Sequence, residues 1–172
     1  AHKFASQFGA IFSTCNVKEI INDNETNCVF ITSRHSNHGQ LVIDALDAGK
    51  NVFVEKPLTL EHDHLAAIDQ RVLSGMCGDL MVGYNRRFSR IAKEIKALLD
   101  KRSHPISIDY HMNAGFLDKN HWTQGPDGGG RNLGEACHIY DLFLYLTDSV
   151  PKMISAIPLI DSTESYGSSD NF

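Results

Sequence analysis

The sequence predicts an α/β fold, with a parallel sheet and its helices over residues 1–85 and part of an α+β region with a mainly antiparallel sheet over 86–172. Three observations lead there. Strand-like and helix-like stretches alternate at βαβ spacing from residue 10 to residue 85, a pattern that demands parallel pairing with helices on both faces. The run at 28–32 (CVFIT) is continuously apolar, as in strands buried on both sides. Beyond Asn85, Ile106, Ile108, Tyr110 and Met112 alternate strictly with polar residues, the mark of an antiparallel strand with one solvated or ligand-facing side.

The elements follow in order. Residues 2–8 read as the end of a helix stopped by Gly9, 10–13 as a short strand, and 17–21 as a short helix. Strand 28–32 comes next, with Cys28 read as a small buried hydrophobe. A helix over 38–48 carries Val42, Ala45 and Leu46 on one face and ends at Gly49. The pattern then repeats: strand 52–55, a helix over 61–73 turning Leu65, Ile68 and Val72 inward, Gly75, and strand 80–84. Ile91, Ile95, Leu98 and Leu99 mark an amphipathic helix, and 116–131 is a glycine-rich loop. Ile139, Leu142, Phe143 and Leu146 have helical spacing, followed by a last strand candidate at 153–160. The domain boundary falls at 84–88, and both domains look unfinished, beginning in mid-helix and breaking off at 168–172.

Composition is that of a globular protein, 42% hydrophobic and 22% charged. The net charge of −5, with both signs interspersed, argues against a nucleic-acid partner or a membrane surface. Neither a signal peptide nor an apolar run near 18 residues is found. The four cysteines form no C-x-x-C pair, so a reduced, cytoplasmic setting is expected.

The chemistry-bearing stretch is Asn51-Val52-Phe53-Val54-Glu55-Lys56-Pro57-Leu58. It delivers Lys56 to the C-terminal end of a parallel strand, where ligands of open α/β sheets bind. An isolated Glu-Lys pair is more often a surface ion pair, but the position favours a catalytic role. The loop from Thr32 through Arg34, His35 and Asn37 to His38 opens a helix, so its N–H groups can face an anion; a plain polar loop with an Asn cap is the equal alternative. No metal site is expected, because neither His35 with His38 nor His62 with His64 has cysteine partners or H-E-x-x-H spacing. Gly128-Gly129-Gly130, after Asp127, permit close backbone approach. Glu135 and His138 lie on one face of the following helix, off its apolar stripe, where a histidine is usually solvated; directly after the glycine loop it is a candidate acid or base. The G-x-G-x-x-G fingerprint, a phosphate-binding G-x-x-x-x-G-K-[ST] and a G-x-S-x-G elbow are all absent.

Taken together, Val29-Phe30-Ile31-Thr32 with Asn37-His38, Ala48-Gly49-Lys50, Glu55-Lys56-Pro57-Leu58, Val82-Gly83-Tyr84-Asn85-Arg86-Arg87-Phe88, and Gly128-Gly129-Gly130 leading to His138 and Asp141 resemble the Gfo/Idh/MocA family of NAD(P)-dependent oxidoreductases. The resemblance implies a Rossmann-type domain over 1–85 whose first βαβ unit and glycine fingerprint would precede Ala1, and a partial substrate and oligomerisation domain over 86–172. It implies NAD or NADP as cofactor, a sugar-like substrate, and a homo-oligomer formed through the C-terminal sheet. It places Lys56 and His138 as catalytic residues. The family's aspartate four residues before the histidine falls on Gly134, so Glu135 either replaces it or sits nearby. The Gly-Glu-Ala-Cys-His form is similar to a subgroup fused behind a zinc-type alcohol-dehydrogenase-like module. Thr32, His35, His38, Glu55, Lys56, Pro57, Asn85, Trp122 and Arg131 are the implied cofactor-binding residues. The expected activity is hydride transfer at a secondary alcohol or ketone of a sugar, cyclitol or nucleotide sugar. A dinucleotide-binding regulator without turnover and an NAD-assisted glycosidase are the alternatives.

Overall fold

The computed structural model describes residues 2–75 and 77–157. Two short helices, α1 (His2–Phe8) and α2 (Val17–Ile21), precede the sheet. Strand β1 (Cys28–Ile31), helix α3 (His38–Asp47), strand β2 (Asn51–Val54), helix α4 (His62–Ser74) and strand β3 (Leu80–Val82) form two successive βαβ units. The sheet runs β1-β2-β3, all parallel, with Val29 opposite Val52 and Val52 opposite Leu80.

Chain reversal after each helix follows from local chemistry. Gly49 adopts φ 69°; its N–H donates to Leu46 O at 2.9 Å and that of Lys50 to Ala45 O at 3.0 Å. Those two bonds are a Schellman closure, which needs a left-handed residue at this point. Gly75 ends α4 in the same conformation.

One face of the sheet carries the core. Ile31, Val52 and Val54 pack with Val42, Ile43, Ala45 and Leu46 of α3 and Ile68 of α4, while Val29, Leu80 and Val82 lie against them. The other face is bare: Phe30 is 70% exposed and Met81 49% exposed, with the Phe30 and Phe53 rings 5.3 Å apart. The expectation of helices on both faces is therefore corrected among the described residues. A run such as CVFI is equally apolar whether one or both of its faces are covered. Cys28, at the start of edge strand β1, is exposed instead of buried. In α4 only Ile68 is buried, whereas Leu65 and Val72 are exposed, because the helix meets the core along one narrow line.

After β3 the chain forms a 3₁₀ turn (Asn85–Phe88) and helix α5 (Arg90–Leu99), capped by Ser89 Oγ accepting from Ala92 N at 3.2 Å. A π-helical turn (Asn132–Ala136) leads into α6 (Cys137–Thr147), which packs on α5 and on the 85–88 turn. The expected strand at Ile106 to Met112 is not formed, nor is the one at 10–13, and no antiparallel pairing occurs among the described residues. Alternation encodes a face, but a ladder also needs a neighbour with free N–H and C=O groups. Tyr110 is held by side chains instead: Arg86 donates to its hydroxyl at 2.9 Å, and its ring meets that of Phe143 at 6.4 Å. Of the strand candidate at 153–160, residues 153–157 have no regular structure and 158–160 lie outside the described residues. No helix among the described residues is long and apolar enough to cross a membrane.

Candidate active site

Lys56 stands at the C-terminal end of β2. Glu55 N still bonds to Ile31 O at 2.9 Å, continuing the ladder, and the cis Lys56-Pro57 peptide then turns the chain out of the sheet. His38, the first residue of α3, sits beneath this turn with 0% exposure. Its Nδ1 lies 2.7 Å from Pro57 O and its Nε2 3.0 Å from Ser33 O, so one imidazole ties the loop after β1 to the turn after β2. The structure thus places His38 under the loop surface, with both ring nitrogens committed to backbone carbonyls.

From that turn the Lys56 ammonium donates to Gly134 O at 2.6 Å and lies 3.3 Å from Glu135 Oε1. The lysine side chain is 17% exposed, so this ion pair is partly shielded from water. Where the resemblance leads one to expect an aspartate, the chain offers a main-chain carbonyl and, one residue on, a carboxylate to the same ammonium. A side chain is hard to place at Gly134 itself, because a Cβ there would meet His35 Cε1 at 3.2 Å. The π-helical turn carries one extra residue per turn, a distortion common at functional sites, and it brings Gly134 and Glu135 to Lys56 together.

The glycine loop is fastened to the loop after β1. Ser36 N donates to Asp127 O at 3.0 Å, Arg34 pairs with the Asp127 carboxylate at 2.6 Å, and His35 Nδ1 lies 2.9 Å from Gly128 O. Hydrogen bonds from Arg34 and Ser36 hold the Asp127 carboxyl below its usual range. Gly128 is obligatory, since a Cβ there would come within 2.1 Å of Thr123 Cα. Trp122 closes over His35, with ring centroids 5.0 Å apart, and the Arg34 guanidinium stacks 5.4 Å from the indole.

His138 opens α6 and is buried at 7% exposure, contrary to the solvated position its place off the apolar stripe suggested. Burial, then the positive charges of Lys56 and Arg86, push its pKa below 6.5, while Glu135 and Glu55 oppose them. Its Nδ1 is buried and has no hydrogen-bond partner. A buried orphan of this kind costs about 1–3 kcal/mol and calls for an explanation in chemistry. His35 is also pushed below 6.5, chiefly by burial. Around His138, burial raises the Tyr84 phenol to about 12 and the Cys137 thiol to about 11, so both stay protonated at neutral pH. A nucleophilic thiolate is thereby disfavoured.

Behind these residues Arg87 grips Asp141 with two hydrogen bonds, one of them from Nε to Oδ2 at 2.9 Å, fixing α6 to the turn after β3. The Asp141 carboxylate is 6% exposed and holds the Arg87 guanidinium above its ordinary pKa. Glu55 is half-buried beside Lys56, Pro57 is buried, and Thr32 and Asn85 are exposed on their loops. Arg131 lines a cavity of about 330 Å³ together with His35, His121, Thr123, Gly134 and Glu135. The residues given roles from the sequence did not include Gly134, His121, Tyr84, Arg87 or Asp141. Tyr84, Arg87 and Asp141 stood in the motifs that carry the resemblance, and Asp141 also lies one turn beyond His138 on the same helix face.

Residues 1–78 match a family model described as the GFO_IDH_MocA oxidoreductase family with NAD-binding Rossmann fold. Oxidoreductase P35 of Formosa agariphila is 30% identical over 160 residues, covering 87% of this chain and 50% of that protein. Myo-inositol 2-dehydrogenase of Thermotoga maritima is 37% identical over 84 residues, covering 48% of this chain and 24% of that one. The chain therefore spans half the length, or less, of these curated relatives. A levoglucosan dehydrogenase solved with NADH and levoglucosan superposes with a TM-score of 0.64 at 24% identity, covering 86% of this chain and 42% of its own, and shows the shared fold. The parallel βαβ sheet, the ordered motifs and these matches together identify residues 1–78 as an oxidoreductase domain of the Gfo/Idh/MocA family, with its NAD-binding Rossmann fold.

Proposed function

We propose that this chain forms the reaction centre of a nicotinamide-dependent dehydrogenase acting on a secondary alcohol of a sugar or cyclitol, with Lys56, His138 and Glu135 as its catalytic residues. The convergence of Lys56 with the Gly134–Glu135 segment, 78 residues further on, supports this reading best. The myo-inositol 2-dehydrogenase relative, 37% identical over 84 residues, supports a cyclitol- or sugar-like substrate. Division into a cofactor domain over 1–85 and a substrate domain over 86–172 is part of the same proposal.

The donor set suits such a cofactor, because a lysine at a strand's C-terminal end and a buried imidazole nitrogen without a partner leave hydrogen-bonding capacity for a ligand. Thr32, His35, Glu55, Pro57, Asn85 and Trp122 would border it. A bound nicotinamide supplies the acceptor for the substrate's hydride. His138, kept neutral by its lowered pKa, takes the hydroxyl proton on its unprotonated ring nitrogen. Lys56 donates a hydrogen bond to the same oxygen and stabilises its developing negative charge. Glu135 holds the ammonium in place and balances its charge, while the Trp122 indole shields His35 from water.

The test is nicotinamide-linked turnover by the full-length protein on a panel of inositols and sugars, alongside Lys56→Ala and His138→Asn. Turnover that falls at least 100-fold in both variants is expected. Undiminished rates in both would overturn the assignment.

A further inference from the structure

We propose that the substrate carries a carboxylate and that Arg131 reads it, which makes the preferred ligand a sugar acid instead of a neutral sugar. The inference rests on the dehydrogenase reading and adds the charge of the molecule that enters the cavity.

The cavity beside the Lys56–Glu135 pair, about 330 Å³, lies at the lower end of the range for small-molecule sites and suits a single sugar ring. Ala114 and Leu117 give it an apolar wall for the C–H face of such a ring. Its lining holds one permanent cation, Arg131, and one carboxylate, Glu135, and Glu135 is already engaged by Lys56 from outside the lining.

Arg131 is the cation of this cavity and has no counter-charge. Arg34, Arg71, Arg87 and Arg90 each meet a carboxylate within 4.0 Å, whereas Arg131, like Arg86 and Arg102 outside the cavity, meets none among the described residues. Its Nη1 donates to Gly115 O at 2.8 Å, which pins the guanidinium and leaves further donors unused. A guanidinium is always charged and presents its donors as a fixed fork that matches a carboxylate in bidentate fashion. A half-buried guanidinium in a concave site, anchored by a carbonyl and otherwise unsatisfied, is complementary to an anion on the ligand.

The same chemistry could serve a phosphate of the cofactor, and the experiment separates the two. Binding of D-glucuronate and of D-glucose to the full-length protein with NADH present is measured by calorimetry, for wild type, Arg131→Gln and Arg131→Lys. NADH and NADPH affinities are measured alongside. Glucuronate is expected to bind about tenfold more tightly than glucose or better. Arg131→Gln should abolish that preference, its loss falling chiefly on glucuronate, and Arg131→Lys should restore part of it. Equal affinity for the two sugars, a preference that survives Arg131→Gln, or a variant whose main loss is in NADH or NADPH affinity would each overturn the proposal. Binding is read without turnover, so the two readings fail separately. A uronate preference in a protein with no dehydrogenase activity would sink the dehydrogenase reading alone. Turnover of neutral sugars without a uronate preference would sink only this one.

Discussion

Two buried histidines divide the site between them. His38, under the turns that follow β1 and β2, has both ring nitrogens on backbone carbonyls at 2.7 and 3.0 Å. His138, at the start of α6, leaves its buried Nδ1 with no partner. Both rings are shut away from water, at 0% and 7% exposure, so burial does not distinguish them. What differs is satisfaction. The first region has used its polar groups to hold backbone in place, and the second has kept one in reserve. A polar group left unsatisfied in the interior reduces stability, a cost that the proposed role of His138 as a base would explain.

The contrast can be broken by substitution. The largest effect is expected at His138, where His138→Asn should reduce kcat by roughly 10²- to 10⁴-fold with little change in thermal midpoint. A fall in stability as large as that of His38 variants would erase the distinction. His38→Leu should do the opposite. The carbonyl that accepts the ring N–H would lose its donor, so chemical denaturation should show a loss of roughly 1–3 kcal/mol. If His38→Leu were as stable as wild type, its role as a tie between the two turns would be disproved.

Asp141→Asn tests the support behind His138. Removing one charge from the bidentate contact with Arg87 should cost roughly 1–3 kcal/mol, the lower part of the range reflecting an Arg87 side chain that is 34% exposed. Denaturant midpoints for Asp141→Asn and for the Arg87→Gln, Asp141→Asn double variant should reveal coupling between the two; strict additivity would argue against it.

The smallest expected effect is in pH. His35 and His138 both have folded pKa values below 6.5, so unfolded chain binds protons more readily than folded chain in that range. Their contribution to stability is complete above the ordinary histidine value of about 6.5 and is lost as pH falls toward the depressed values. Denaturant midpoints between pH 7.5 and pH 5 should decline, and less steeply in His138→Asn. An identical slope in that variant would show that His138 is not among the groups responsible.

The βαβ part was legible because each signal was local. Gly49 and Gly75 mark helix ends by their backbone freedom, and Ile31, Val42, Val54 and Ile68 fall where apolar spacing put them. The bare face of Phe30 and Met81 was not legible, since a hydrophobic strand does not record how many of its sides are covered. Nor was the 106–112 segment, whose alternation says nothing about a neighbour to pair with. At the site, Lys56 and His138 could be singled out by position and motif. The acceptor that holds Lys56, the main chain of Gly134, has no side chain to announce it and became visible only in three dimensions. Glu135 was half legible: its place on the helix face was evident, and its approach to Lys56 depends on the π-helical turn.

That contact also sets an order of events. Parallel pairing of β1 with β2 joins residues close in the chain, from Cys28 with Asn51 to Ile31 with Val54, whereas the bond from Lys56 to Gly134 closes a loop of 78 residues. Longer loops cost more entropy to close and generally form later. During refolding, the sheet is therefore expected to regain its far-ultraviolet signal before the Lys56–Gly134 contact closes, and recovery of the proposed activity would date the arrival of residues 134–138 against a scaffold already built.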